Sequence, residues 1–313
     1  MKALAETVRN IQTPCMKCPA RHMGLCGMVG ADTQASLGPL ASTRDYPVNR
    51  LVWDEGKKPD FIGILVSGYL RFQRYRIDGR RQILGLLVPG DIIDEHQGPD
   101  SACSVAASTD ARICRFDARQ FQQLMARDPA LVQAVYRLRS IKLDQLRALI
   151  WVVGALSAEE RLCAFLTTVT NFMPFTPLSG GGGLLTIELP RADIADLLAT
   201  SVESISRITG HLHDQGVIRI HNARQFEIPD LDRLARLGCM QDTLGRIDYP
   251  KSMASKHRMM RLSNDRVDRS LRAVPGEMSP AVRGNPGHKS TPKIELVGGV
   301  ESRQWSASPS GVV

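Results

Sequence analysis

Nowhere in this sequence do apolar residues run for the roughly 18 positions that a membrane span needs, so no transmembrane segment is expected. The start, MKALAETVRNIQTP, has no signal-peptide core either, because Glu6 and Arg9 interrupt it. Those two absences lead us to expect a cytoplasmic protein. Catalytic signatures are missing as well: no Ser-His-Asp arrangement, phosphate-binding glycine loop or paired carboxylates stand out. A thiol oxidoreductase would want its Cys-x-x-Cys in a thioredoxin-like βαβ setting, and the surroundings of CMKC offer none. The expectation is therefore a protein that is not an enzyme.

What is present is a globular balance, with 43% hydrophobic and 23% charged residues over 313 positions, enough for two domains with cores of their own. The formal charge of +8 is weak evidence for a DNA-binding core. Residues 241–313 hold 12 Lys and Arg against 7 Asp and Glu, so +5 of it sits in the tail. More telling is CMKCPARHMGLC, with Cys15, Cys18 and Cys26 in twelve residues. In a reducing compartment such clusters serve as metal ligands or redox groups more often than as disulfides.

The chain divides into five stretches. Residues 1–40 read as a loop-like segment bearing the cysteines. Residues 41–127 show short apolar runs cut by turns, with a hairpin signal at Asp78-Gly79, which predicts a small antiparallel barrel. Residues 128–156 form one helix, opened by Asp128-Pro129. Along it Val132, Tyr136, Leu143, Leu146, Ile150 and Val153 recur at spacings near three and four, with Arg139 the polar exception. That pattern reads as a coiled-coil seam, and a helix of roughly 40 Å outreaches a small β domain. A homodimer is the simplest closed partner, with Tyr136, Leu143, Leu146, Ile150 and Val153 as its contacts; packing on the helix's own domain is the alternative. Residues 157–240 open with the capping box SAEE and continue as helix, turn, helix and a hairpin around residues 222–224, the outline of a winged helix-turn-helix. Residues 241–313 are polar, aperiodic and expected to be disordered.

On the helix that begins near Ser201, the residues Val202, Ile205, Ile208 and Leu212 share a side expected to face the core, while Glu203, Ser206 and Arg207 share another. A recognition helix meets base edges near its N-terminal end. Arg grips guanine O6 and N7, Glu accepts from cytosine N4, and Ser serves either kind of partner. Glu203 has a plainer alternative as the partner of Thr200 in a capping box, and Ser206 and Arg207 as a solvated face.

SVESISR resembles the recognition helix of the Fnr branch of the Crp/Fnr transcription regulators, and AEERLCAFL resembles the stretch that opens its DNA-binding domain. The likeness covers residues 15 to about 235. It implies an α+β fold: an antiparallel β-roll of the cyclic-nucleotide-binding type, a long dimerisation helix and a C-terminal winged helix-turn-helix. Glu203, Ser206 and Arg207 would be its base readers, double-stranded DNA carrying an inverted repeat like TTGAT-N4-ATCAA its target, and RNA polymerase a further partner. In that branch the N-terminal cysteines and one cysteine of the β domain bind an oxygen-labile [4Fe-4S] cluster, so Cys15, Cys18 and Cys26 would need a fourth thiolate. Cys114 matches the family position; Cys103 stays open on physical grounds, Cys163 reads as core, and Cys239 has no evident role. Zinc is the other metal such a set of cysteines suits. His22 is expected to be solvated. Relatives that bind cyclic nucleotides carry a phosphate-gripping arginine after a Gly-Glu pair. Here IIDEHQGPDSACSVAAS has none, so no cyclic nucleotide is expected, and haem is a weaker alternative because relatives that use it generally lack these cysteines. Ala199 stands where the family usually has glycine in the helix-turn-helix turn, a departure costing roughly 1 kcal/mol if that turn is left-handed.

Overall fold

The computed structural model describes Cys15 and residues 18–57, 59–94, 101–178 and 180–240. The expected tail over 241–313, residues 1–14 and the stretch 95–100, part of the segment searched for an arginine, lie outside the described residues.

Residues 19–40 are not the loop-like segment expected. After a 3-10 turn at Pro19–His22 come two helices, α1 (Gly24–Met28) and α2 (Ala31–Leu37). Isolated helices this short are not stable; Leu25, Val29 and Leu37 hold them by burial in one apolar cluster with Ile64, Val66 and Phe116.

Eight strands follow: β1 (Ser42–Tyr46), β2 (Leu51–Trp53), β3 (Phe61–Ser67), β4 (Leu70–Tyr75), β5 (Arg81–Leu87), β6 (Ile92–Ile93), β7 (Ser104–Ala107) and β8 (Ala111–Asp117). They make two antiparallel sheets, ordered β1-β8-β3-β6 and β2-β7-β4-β5, the two halves of a β-roll. Trp53, Phe61, Leu65, Leu70, Leu87, Val105 and Ile113 fill the space between them. Strand β3 is buried along nearly its whole length because the other face of its sheet is covered too, by α1, α2 and the helices that follow. The hairpin expected at Asp78-Gly79 joins β4 to β5, with Gly79 at φ 80.

Helix α3 (Ala118–Met125) leads into α4 (Pro129–Ala155), 27 residues or about 40 Å. The side chain of Asp128 caps α4 by accepting from the N–H groups of Ala130 and Leu131. One side of α4 is buried on its own domain through Leu131, Ala134, Val135 and Leu138, while Val152 near its C-terminal end packs with Ala164 and Met240 of the module that follows. The opposite side keeps Tyr136, Leu143 and Ile150, seven residues apart, exposed at 64, 47 and 72%, while Val132, Leu146 and Val153 are half-buried. The helix thus packs at home and still presents a seam. Arg139, the polar exception, turns back to pair with Asp94 of the roll.

The last module holds α5 (Ala158–Val169), β9 (Phe175–Pro177), β10 (Gly183–Thr186), α6 (Arg191–Leu197), α7 (Val202–Asp214), β11 (Arg219–Ile220), β12 (Gln225–Ile228) and α8 (Leu231–Leu237). Ser157 and Glu160 form the expected capping box at α5. The sheet is antiparallel in the order β11-β12-β10-β9, and β11 and β12 are the hairpin around residues 222–224. Gly216, at φ 67, ends α7. Its core, with Leu162, Cys163, Phe165, Leu185, Ile205, Leu212 and Phe226, continues into the roll through Tyr69, Ile83 and Val88. The whole is the expected α+β arrangement of β-roll, long helix and winged helix-turn-helix. Among the described residues no helix is long and apolar enough to cross a membrane.

Candidate functional site

Four of the seven cysteines share one pocket. Cys15, Cys18, Cys26 and Cys114 line one pocket, walled by Ala20, Leu37, Ile64, Val66 and Phe116, with Arg21 and Gln34 as its polar members and about 420 Å³ of empty space including the mouth. Cys18 stands before the Pro19–His22 turn, its N–H donating to the Cys15 carbonyl at 3.3 Å. Cys26 lies on α1, where its carbonyl accepts from the Gln34 amide, and that amide's oxygen accepts from Arg21 Nε at 3.2 Å. Cys114 comes from the middle of β8, in register between Thr43 of β1 and Ile64 of β3.

Helix α1 sits where it does because Gly24 allows it. Gly24 has φ +46, and a Cβ there would stand 1.6 Å from the Gly90 carbonyl oxygen. Only glycine combines that backbone with that approach.

Burial first, and the neighbouring thiols of the pocket second, push the Cys26 and Cys114 thiols up to about 12. Cys15 is raised too, by burial first and Cys18 second. The pocket is therefore a dry place for soft donors, which prefer soft metals. The thiols surround it rather than converge: among the described residues, no three Cys, His, Asp or Glu side chains are grouped tightly enough to hold a metal ion.

The remaining cysteines lie elsewhere. Cys103 is half-buried on the approach to β7, in the other sheet, and does not line the pocket. Cys163 is fully buried in the core of the last module. Cys239 lies 3.9 Å from Glu160. His22 is exposed.

The second candidate surface is α7. Ser201, not Thr200, is its cap, accepting from the Ser204 N–H at 3.1 Å. Ile205 and Leu212 are buried and Ile208 half-buried, but Val202 is 37% exposed; it stands in the first turn, ahead of the point where α7 meets the core. Glu203, Ser206 and Arg207 are all exposed. The backbone N–H of Glu203 and then the Ser201 hydroxyl hold the Glu203 carboxyl below its ordinary range. Arg207 donates to the Ser204 hydroxyl at 3.2 Å.

Arg191, which the sequence reading passed over, donates to the Ser206 hydroxyl at 3.1 Å. Its signal was available: a cation in the first turn of a helix opposes the macrodipole, and Arg191 opens α6.

Comparison with known proteins matches residues 43–128 to the cyclic nucleotide-binding domain family and residues 160–237 to the Crp-like helix-turn-helix domain family. A probable transcriptional activator of Rhizobium leguminosarum bv. viciae is 30% identical over 224 residues, 71% of this chain and 92% of that protein. The transcriptional activator protein FnrL of Cereibacter sphaeroides is 29% identical over 222 residues, 70% and 90% of the two chains. The solved structure of FixK2 from Bradyrhizobium japonicum shares the fold with a TM-score of 0.57, at 23% identity over 63% of this chain and 96% of that one. With a β-roll, a long helix and a winged helix-turn-helix in that order, and relatives alike over nearly their full length, the chain belongs to the Crp/Fnr family of DNA-binding transcription regulators.

Proposed function

We propose that this regulator responds to oxygen: as a homodimer it binds an inverted repeat resembling TTGAT-N4-ATCAA while Cys15, Cys18, Cys26 and Cys114 hold a [4Fe-4S] cluster. The observation that carries this is the single apolar pocket that the four thiols share. The donor set fits the group. Cys15, Cys18, Cys26 and Cys114 would hold it as the four soft thiolates that an iron–sulfur cluster requires, and the dry, apolar walls around them would shield it from water. When bound, the cluster would supply a group that dioxygen destroys, so that occupancy of the pocket reports oxygen.

The chain's own contacts give that occupancy a route to the dimer helix. The Thr33 hydroxyl of α2 donates to the carboxylate of Asp128, the cap of α4. Gly24 abuts Gly90, and the next residue, Asp91, pairs with Lys142 of α4 at 2.5 Å. The segment bearing three thiols therefore bears on α4 at its cap and near its middle, and a bias on its packing is a bias on the helix. The exposed seam of Tyr136, Leu143 and Ile150 supports the homodimer, which would set two recognition helices about 34–36 Å apart. A cyclic nucleotide is not part of this reading: among the described residues, Lys142 and Arg139, the two cations of α4 turned toward the roll, already serve the Asp91 and Asp94 carboxylates. RNA polymerase would be the downstream partner.

The test is an ultraviolet–visible spectrum with iron, sulfide and zinc analysis on protein purified without oxygen, repeated after admitting air. Brown protein with iron and sulfide that bleaches in air is expected; colourless protein with stoichiometric zinc would overturn the sensor. Replacement Cys18→Ala should abolish operator binding under anaerobic conditions while circular dichroism stays unchanged.

A further inference from the structure

Between the roll and the last module lies a group of four charges that neither the thiol pocket nor the base-reading face uses. Arg71 of β4 and Asp193 of α6 pair at 2.7 Å, each with a side chain only 3% exposed. Asp193 also takes Arg81 of β5 at 2.6 Å, and Arg81 takes Asp196, one turn further along α6, at 2.6 Å. The remaining donors of Arg71 go to Gln73 at 2.7 Å, the Ala107 carbonyl at 3.1 Å and Asn49 at 3.0 Å. Gln82 adds a bond to the Asp196 carbonyl at 2.6 Å.

The apolar core that also crosses here, Ile83 and Val88 against α5 and its neighbours, favours contact without favouring one angle, and the Tyr69 hydroxyl adds two bonds at its edge, to Glu188 Oε2 at 2.8 Å and to the Phe172 carbonyl at 3.3 Å. Forked guanidinium–carboxylate bonds are directional, and buried ion pairs commonly add little stability over apolar replacements. Their position also matters: α6 packs directly on α7, and its Arg191 touches Ser206. We propose that Arg71 and Arg81 are positioning residues for DNA recognition, which by gripping Asp193 and Asp196 fix the angle at which each protomer presents α7. The inference rests on the DNA-binding dimer proposed above.

A fixed angle makes the distance between two recognition helices a fixed length, so the clamp shows itself in spacer preference. Full-length protein prepared without oxygen is titrated against duplexes carrying TTGAT and ATCAA separated by three, four or five base pairs, against a single half-site, and against a scrambled duplex. Arg81→Gln should bind the four-base-pair spacer about tenfold more weakly than wild type, lose less on the other spacers, and leave half-site affinity unchanged. Asp196→Asn, at the exposed edge of the clamp, should do the same, and the double variant should be no worse than either single one. Unaltered spacer preference in both folded variants, or equal losses on every duplex including the half-site, would overturn the clamp. Wild type that prefers no repeat over the scrambled duplex would instead bring down the DNA-binding reading, and the clamp with it.

Discussion

Ala199 holds φ 50 in the turn between α6 and α7, and its side chain is exposed. A non-glycine residue in the left-handed region costs roughly 1 kcal/mol, and an exposed methyl gains little burial against that cost. Ala199→Gly should therefore raise unfolding stability by about 1 kcal/mol in urea titrations while leaving operator affinity as it was; an unchanged or lower midpoint would refute the strain. That strain was legible in the sequence from the family pattern alone. Other residue-level features were not. Cys103 and Cys114 are equally short, equally soft donors, and only the register of β8 between β1 and β3 puts Cys114 on the face covered by the cysteine segment. Val202 matched the apolar stripe of α7 and still lies outside the core, because a stripe does not say at which turn a helix leaves its neighbours.

Elements announced themselves where the signal was local and long. Helix α4 was readable from Asp128-Pro129 and 27 residues without a break, and α5 from its capping box. Helices α1 and α2, five and seven residues long, give an apolar period too few turns to show, and their placement depends on Gly24 meeting Gly90, a contact 66 residues away in sequence. Strand β9, three residues long, was invisible for the same reason. The cap of α4 makes a pH-dependent prediction. The Thr33 hydroxyl, then the Leu131 N–H, hold the Asp128 carboxyl below its ordinary value of 3.8. A depressed folded value means the stabilisation is full above the unfolded pKa and disappears as pH falls through the folded one. Chemical denaturation of wild type and Asp128→Ala should thus show wild type the more stable at pH 7, with the gap closing only below about pH 4; a gap that is constant down to pH 2 would contradict the charged cap.

At the scale of the molecule, the exposed seam of α4 is where the proposed homodimer would form. Ile150→Glu places a charge at its most exposed apolar position, away from the buried face of α4. It should give monomers in sedimentation velocity with unchanged helicity, and weaken operator binding by at least about a hundredfold through loss of bivalence. A dimer of wild-type strength would move the interface elsewhere. The order of modules was plain in the sequence because each has its own periodicity; the charged clamp between them was not, since Arg71, Arg81, Asp193 and Asp196 read one by one as ordinary strand and helix polar positions.

The pocket itself divides unevenly along the chain. Three thiols belong to a short leading segment and the fourth to the central strand of a sheet, with Ala41 and Ser42 at the join. The two parts are therefore separable in principle by a single backbone cut. A nick at that join would leave the leading segment held by packing alone, through Leu25, Val29 and Leu37 and the Thr33–Asp128 hydrogen bond, while the roll, the long helix and the winged module stayed one chain, so three of the four pocket thiols would become a detachable subunit whose loss could be tuned by anything that loosens that packing.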